Sequence, residues 1–179
     1  MTVVGQSGVL WGVVGRLGLA SHTRMSENGN SNGPTYNSRY DNVVDEKRRV
    51  QIPSKWRDGQ GEVEFLIILW PNAGQTDSCL MVLPPVAAQR LKDKVNALDF
   101  GNPQAEALRR FLGRKSDTVW ADKAGRITLP ENMAKAAGLE KEVALIGMFD
   151  RFQLWNPKKY DGDVVAAEDA LAAEAFKLI

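Results

Sequence analysis

The chain has 179 residues, 44% hydrophobic and 25% charged, with a formal net charge of +1 at pH 7. That length buries a core in one or two domains, and so small a net charge selects no partner by itself. A single cysteine, Cys79, and a single histidine, His22, exclude an internal disulfide and any zinc site built from those residue types.

Residues 1–38 read as an extension outside the folded part, disordered or mis-annotated. Val3 to Ala20 is apolar and Gly-rich, but Arg16 interrupts it and no basic side chain precedes it, which makes a poor secretory signal and a poor membrane span. Ser26 to Pro34 has a composition that buries little surface. Met25 stands at the junction and is the expected true start of translation; a weak membrane-associating extension is the alternative.

Residues 39–86 form a first β unit. Val50 and Ile52 alternate with Arg49 and Gln51, the period of a half-buried strand, and Pro53 ends it before one helical turn at Ser54 to Arg57. After a Gly59-Gln60-Gly61 turn come a strand through Phe65 to Leu69, a polar turn region Pro71 to Ser78, and a strand Cys79 to Leu83. Cys79 reads as a buried strand position, not a nucleophile. Residues 87–114 form a helical linker. Its first helix opens at Pro84-Pro85 and reaches about Leu98, and its second opens at Asn102-Pro103 and ends near Leu112, before Gly113.

Residues 115–158 repeat the first unit. Asp45-Glu46-Lys47-Arg48-Arg49-Val50-Gln51-Ile52-Pro53 returns as Asp122-Lys123-Ala124-Gly125-Arg126-Ile127-Thr128-Leu129-Pro130. Pro130 opens a helix through Ala137 that Gly138 caps, and Glu142 to Gly147 with Arg151 to Trp155 make the closing hairpin. Residues 159–179 read as a C-terminal helix. A unit of about 45 residues with short strands buries too little apolar area to stand alone, so the two copies are expected to pair as an intramolecular pseudo-dimer.

The motif Asp-x-x-x-Arg suits a tight turn, with the carboxylates of Asp45 and Asp122 accepting backbone N–H groups. Arg49 and Arg126 then either hold the turn or project from it, and both roles are compatible. The basic run Arg109, Arg110, Arg114, Lys115, Lys123 and Arg126, set against an acidic tail from Asp161, suits a nucleic-acid binder or a solvated helix face. No phosphate loop, nucleophile elbow or zinc-protease motif is present, so an enzyme is not expected, nor any cofactor or metal.

On these motifs the two copies resemble the SpoVT-AbrB swapped-hairpin unit. With the helical linker between them, the chain resembles the MraZ family of transcriptional regulators over about residues 39–160. Further support comes from Cys79-Leu80-Met81-Val82-Leu83-Pro84, Arg110-Phe111-Leu112-Gly113 and Phe152-Gln153-Leu154-Trp155. The resemblance implies an α+β, mainly β fold: tandem swapped-hairpin units forming a pseudo-dimeric, double-psi-like β-barrel with flanking helices. It implies a cytoplasmic, nucleoid-associated repressor that binds short promoter repeats of division and cell-wall genes as a homo-oligomeric ring, without membrane contact. Lys47, Arg48, Arg49, Lys123 and Arg126 would face double-stranded DNA, and Asp45, Asp122 and Gly125 would shape the turns. Val86, Leu91, Val95 and Phe111 either form subunit contacts or close the core of one subunit. The alternative reading is an AbrB-type antitoxin binding a protein toxin and its own promoter.

One departure stands out. The family pattern has Gly before the motif Arg, as at Gly125, but the first copy has Arg48. A Gly there points to positive φ, which Arg adopts at a cost of about 1 kcal/mol or somewhat more. Either the first turn differs, or the added charge compensates in binding.

Overall fold

The structure is a computed structural model that describes residues 33–57, 62–72 and 75–178. The readings made for residues 1–32, including Met25 and His22, and for the turn Gly59–Gly61, lie outside the described residues.

The elements follow in chain order. β1 is Arg39–Val43, β2 Arg49–Gln51, β3 Glu64–Asn72 and β4 Gln75–Leu83, with a 3-10 turn Ser54–Trp56 between β2 and β3. Helices α1 (Pro85–Asn96) and α2 (Pro103–Lys115) lead to β5 (Ser116–Trp120), β6 (Arg126–Thr128), α3 (Glu131–Ala137), β7 (Glu142–Gly147) and β8 (Phe152–Trp155). The chain closes with α4 (Pro157–Lys159), a π-helical segment Tyr160–Val164 and α5 (Val165–Ala175).

The local causes are visible in the residues. Asn102 and Asn156 each accept two backbone N–H groups at the starts of α2 and α4, and a proline follows each at the first helical position. Gly138 ends α3 at φ 69°, and Leu139 N–H returns to Ala134 O at 2.9 Å, a left-handed cap of the expected kind.

Two elements run further than their sequence suggests. The hairpin of β3 and β4 extends to Asn72 opposite Gln75, although Pro71 to Ser78 reads as a turn region. Pro71 is tolerated because the register slips between Trp70 and Asn72, and because β5 pairs β3 only from Glu64 to Ile68. Helix α2 continues through Gly113 to Lys115. A Cβ at Gly113 would meet nothing within 4 Å, and one interior Gly costs only about 1 kcal/mol while neighbouring Leu112 packs on the core.

The fold is α+β with antiparallel strands. Six strands run in the order β1-β7-β8-β4-β3-β5, and β2 pairs with β6 as a separate ribbon. The first strand of each copy lies on the other copy's hairpin: β1 pairs with β7 from Arg39↔Ile146 to Val43↔Glu142, and β5 pairs with β3 from Glu64↔Trp120 to Ile68↔Ser116. The ribbon is tied to the two sheet edges by single bridges, Val44↔Val50 and Ala121↔Ile127.

Val50, Ile52, Ile127 and Leu129 from the ribbon meet Phe65, Ile67, Leu80, Leu145, Phe152 and Leu154 from the sheet in one core. The sheet's opposite face is covered twice. Ala87, Ala88, Leu91 and Leu112 from α1 and α2 pack over Ile68 and Met81, while Val164 and Tyr160 pack over Cys79, Ala144 and Trp155. Leu91 therefore closes the core, whereas Val86 is exposed.

The folded part also reaches back beyond Arg39. Tyr36 is buried against Trp56 and Phe152, and its backbone is bonded both ways to Phe149. The sequence places Tyr36 to Ser38 in the extension; the bonds of Tyr36 to Phe149 and of Ser38 O to Gly147 N–H put them in the fold.

Burial pushes the Cys79 thiol up to about 12, with Glu168 adding to the shift. Iodoacetamide at mildly alkaline pH is therefore expected to leave native Cys79 unmodified and to label it only after denaturation; intact mass reads the result.

Candidate nucleic-acid interface

The two Asp-x-x-x-Arg turns are built alike. Asp45 Oδ1 accepts the backbone N–H groups of Lys47 and Arg49, both at 2.9 Å, and Oδ2 accepts Arg49 Nε at 2.7 Å. Asp122 Oδ1 accepts those of Ala124 and Arg126, both at 2.9 Å, and Oδ2 accepts Arg126 Nε at 2.9 Å. A second guanidinium nitrogen completes each pair, Arg49 Nη2 at 2.7 Å and Arg126 Nη2 at 2.8 Å.

The fourth turn residue has positive φ in both copies, 58° at Arg48 and 79° at Gly125. The first turn therefore does not differ; Arg48 adopts the glycine-favoured conformation. The carbonyls of these two residues cross between copies, Ile52 N–H donating to Gly125 O and Leu129 N–H to Arg48 O, each at 2.9 Å.

Register places the side chains. Arg49 pairs with Thr128, Val50 with Ile127 and Gln51 with Arg126. Val50 and Ile127 point into the core, so Arg49, Gln51, Arg126 and Thr128 share the outward face, with the two arginines diagonal neighbours about 7–8 Å apart. The side chains of Arg49 and Arg126 are 28% and 36% exposed, so neither guanidinium is sealed inside. Lys47 and Lys123 are exposed and carry no ion pair among the described residues. Arg48 Nε donates to Leu129 O at 3.4 Å, and its Nη1 lies 4.0 Å from Glu131.

Two residues that the sequence did not single out complete the site. Gln51 Nε2 donates to Ala124 O at 2.8 Å and Gly125 O at 3.1 Å, so one copy's strand pins the other copy's turn. Arg57 lies across Gly125 and donates to Ala124 O at 3.1 Å. The polar positions of the alternating strand pointed to Gln51. Nothing local signalled Arg57, whose partner is 67 residues away.

Both turn carboxyls sit below the ordinary Asp range. For Asp45 the backbone N–H of Arg49 is the largest cause; for Asp122 it is the side-chain bond from Arg126. A depressed pKa gives stability that is complete above the unfolded value of about 3.9 and is lost as pH falls through the lower folded value. Asp45→Asn with Asp122→Asn keeps an oxygen for the backbone N–H groups but removes the titration. Its melting temperature should fall less than the wild type's on acidification below about pH 4; equal acid sensitivity would show that these turns are not the titrating element.

Taken together, the face offers two guanidiniums held by their Asp partners, flanked by exposed cations. Each arginine has five N–H donors and commits two of them to its Asp, which leaves three for a ligand. Among the described residues no cluster of His, Cys, Asp and Glu suits a metal ion, and no helix is long and apolar enough to cross a membrane.

The sequence pattern of the family described as "MraZ protein, putative antitoxin-like" matches residues 114–175. Three relatives named "Transcriptional regulator MraZ" are similar over most of their length. The protein from Acetivibrio thermocellus is 34% identical over 142 residues, 78% of this chain and 95% of the relative. That from Desulfitobacterium hafniense is 33% identical over 140 residues, 78% of this chain and 94% of the relative. That from Finegoldia magna is 36% identical over 122 residues, 68% of this chain and 81% of the relative.

Proposed function

The chain belongs to the MraZ family, and on that premise we propose that it is a transcriptional regulator that binds double-stranded DNA with the outward face of the β2–β6 ribbon. The observation that carries this reading is the pair of Asp-held guanidiniums, Arg49 and Arg126, on one face of one ribbon. A major groove admits a two-stranded ribbon, and the free edge of an arginine fork matches guanine O6 and N7. Asp45 and Asp122 fix each fork before DNA arrives, which lowers the ordering cost of the contact. Lys47, Arg48 and Lys123, with Arg57 beside them, bind phosphate and set the register without reading sequence.

The finer reading is a repressor of the division and cell-wall gene cluster, its own promoter included, assembled as a ring on short repeats. One subunit per repeat multiplies individually weak contacts through effective concentration. Leu108 and Val86, exposed on α2 and α1, suit the subunit contacts. The six-stranded sheet and the ribbon act as one double-psi-like barrel of swapped hairpins, a reading supported by the two edge bridges and the exchange of β1 and β5 between copies.

One observation favours the antitoxin reading: α5 is exposed along its length, with Leu171 and Phe176 open to a protein partner. A deletion of residues 165–179 that leaves DNA binding unchanged while abolishing co-purification of a neighbouring toxin would favour it.

Fluorescence anisotropy with a duplex from upstream of the protein's own gene tests the regulator. Affinity should fall steeply with salt, because phosphate contacts release counterions. Arg48→Gly relieves a positive φ and should raise stability by about 1 kcal/mol. The same change should weaken binding and reduce the salt slope by about 0.9. A gain in stability with no change in slope would show that Arg48 touches no phosphate.

A further inference from the structure

The contact face is wider than the ribbon, and its two halves are not alike. In the first hairpin Asp45 N–H bonds Arg49 O and Val44 bridges Val50, so Val43 stands beside Gln51. In the second, Asp122 N–H bonds Arg126 O and Ala121 bridges Ile127, so Trp120 stands beside Thr128. Joined to the ribbon register, these pairings give two rows across the face: Val43, Gln51, Arg126, Asp122 and, running the other way, Trp120, Thr128, Arg49, Asp45. Val43 and Trp120 are equivalent positions, 67% and 56% exposed. Their outer neighbours, Glu142 beside Val43 and Glu64 beside Trp120, are acidic and end the face.

We propose that Trp120, with Thr128, is a specificity-determining contact that meets a thymine methyl group next to the base read by Arg49. This rests on the DNA-binding reading above. Apolar and threonine methyl groups are the natural partners of the thymine methyl in the major groove. The indole is more than half exposed among the described residues, on a strand whose neighbours Val119 and Ala121 are buried. The exposed cations of and beside the two turns, Lys47, Arg48, Arg57 and Lys123, favour a polyanion as the partner of this face.

The other row does not supply the same contact. Gln51 has its amide N–H groups committed to Ala124 O and Gly125 O, and Val43 reaches less far from the strand than the indole of Trp120. Two rows of identical residues would read a palindrome. These read an asymmetric sequence and seat the subunit on DNA in one orientation.

The test is selection from a library of short duplexes with a randomised core, sequencing what binds the full chain, its Trp120→Val, Trp120→Phe and Val43→Trp variants. The wild type should select an asymmetric motif with thymine beside one guanine. Trp120→Val should lose the thymine preference, keep the guanines, and bind the wild-type motif roughly fivefold or more weakly; Trp120→Phe should restore it, and Val43→Trp should add a thymine on the other side. A Trp120→Val variant with unchanged motif and affinity overturns the proposal and leaves the regulator standing. Loss of oligomer mass in Trp120→Val with an unchanged motif also overturns it, marking Trp120 as a contact between copies. A wild type that enriches no motif overturns both.

Discussion

Combining Arg49→Ala with Arg126→Ala is expected to remove the proposed sequence-specific DNA binding and to leave the protein folded. Each lost bidentate base contact costs about 1–3 kcal/mol, so the pair costs about 2–6 kcal/mol if the two bases are read independently. The turns survive because Asp45 keeps the backbone N–H groups of Lys47 and residue 49, and Asp122 those of Ala124 and residue 126. Arg49→Lys with Arg126→Lys separates charge from geometry: it keeps the cations but not the fork, so binding to a scrambled duplex should persist while preference for the promoter duplex disappears. Anisotropy titrations on both duplexes read the ratio directly. A double alanine variant that still prefers the promoter duplex as strongly as the wild type would remove the ribbon from the mechanism.

Gly147→Ala is expected to be among the most destabilising single changes in the fold. A Cβ at Gly147 would lie 2.6 Å from the Tyr36 carbonyl oxygen and 2.7 Å from the Asn37 backbone, and backbone cannot swing aside as a long side chain does. Relief requires moving the segment that seats Tyr36 in the core and gives its Asn37 carbonyl to Trp56 Nε1 at 2.9 Å. Overpacking of this kind costs about 2–3 kcal/mol, a fall in melting temperature of roughly 5–10 °C for a domain of this size. Because both changes act through the same segment, Gly147→Ala with Tyr36→Ala should destabilise by less than the sum of the two. Strict additivity in thermal melts would show that Gly147 and Tyr36 are not coupled.

What the sequence made legible was local. The Asp-x-x-x-Arg turns, the alternation of Val50 with Gln51 and the Gly138 cap each depend on a few consecutive residues, and each stands where the pattern put it. The doubling of the unit was legible too, because a repeat needs only self-comparison. Pairing partners were not. Nothing in β1 says that it lies on β7, or in β5 that it lies on β3, since such register is decided by packing across the whole core. For the same reason Arg57 was missed, and Gln51, whose outward face the alternation does give, could not be matched to its partner: both reach the other copy's turn. Trp120 illustrates the converse, an aromatic that stands outward because the strand alternates it with the buried Val119 and Ala121. Arg48 was the instructive exception: the departure from the repeat left open whether the first turn differs, and the fold gives Arg48 the positive φ of its glycine counterpart.

Hydrogen exchange of the full chain with and without a duplex from upstream of its own gene tests the ribbon face most directly. The account predicts slowed exchange concentrated in residues 45–52 and 122–129, with both copies protected together. Protection confined to α1, α2 or α5, with the ribbon unchanged, would contradict it.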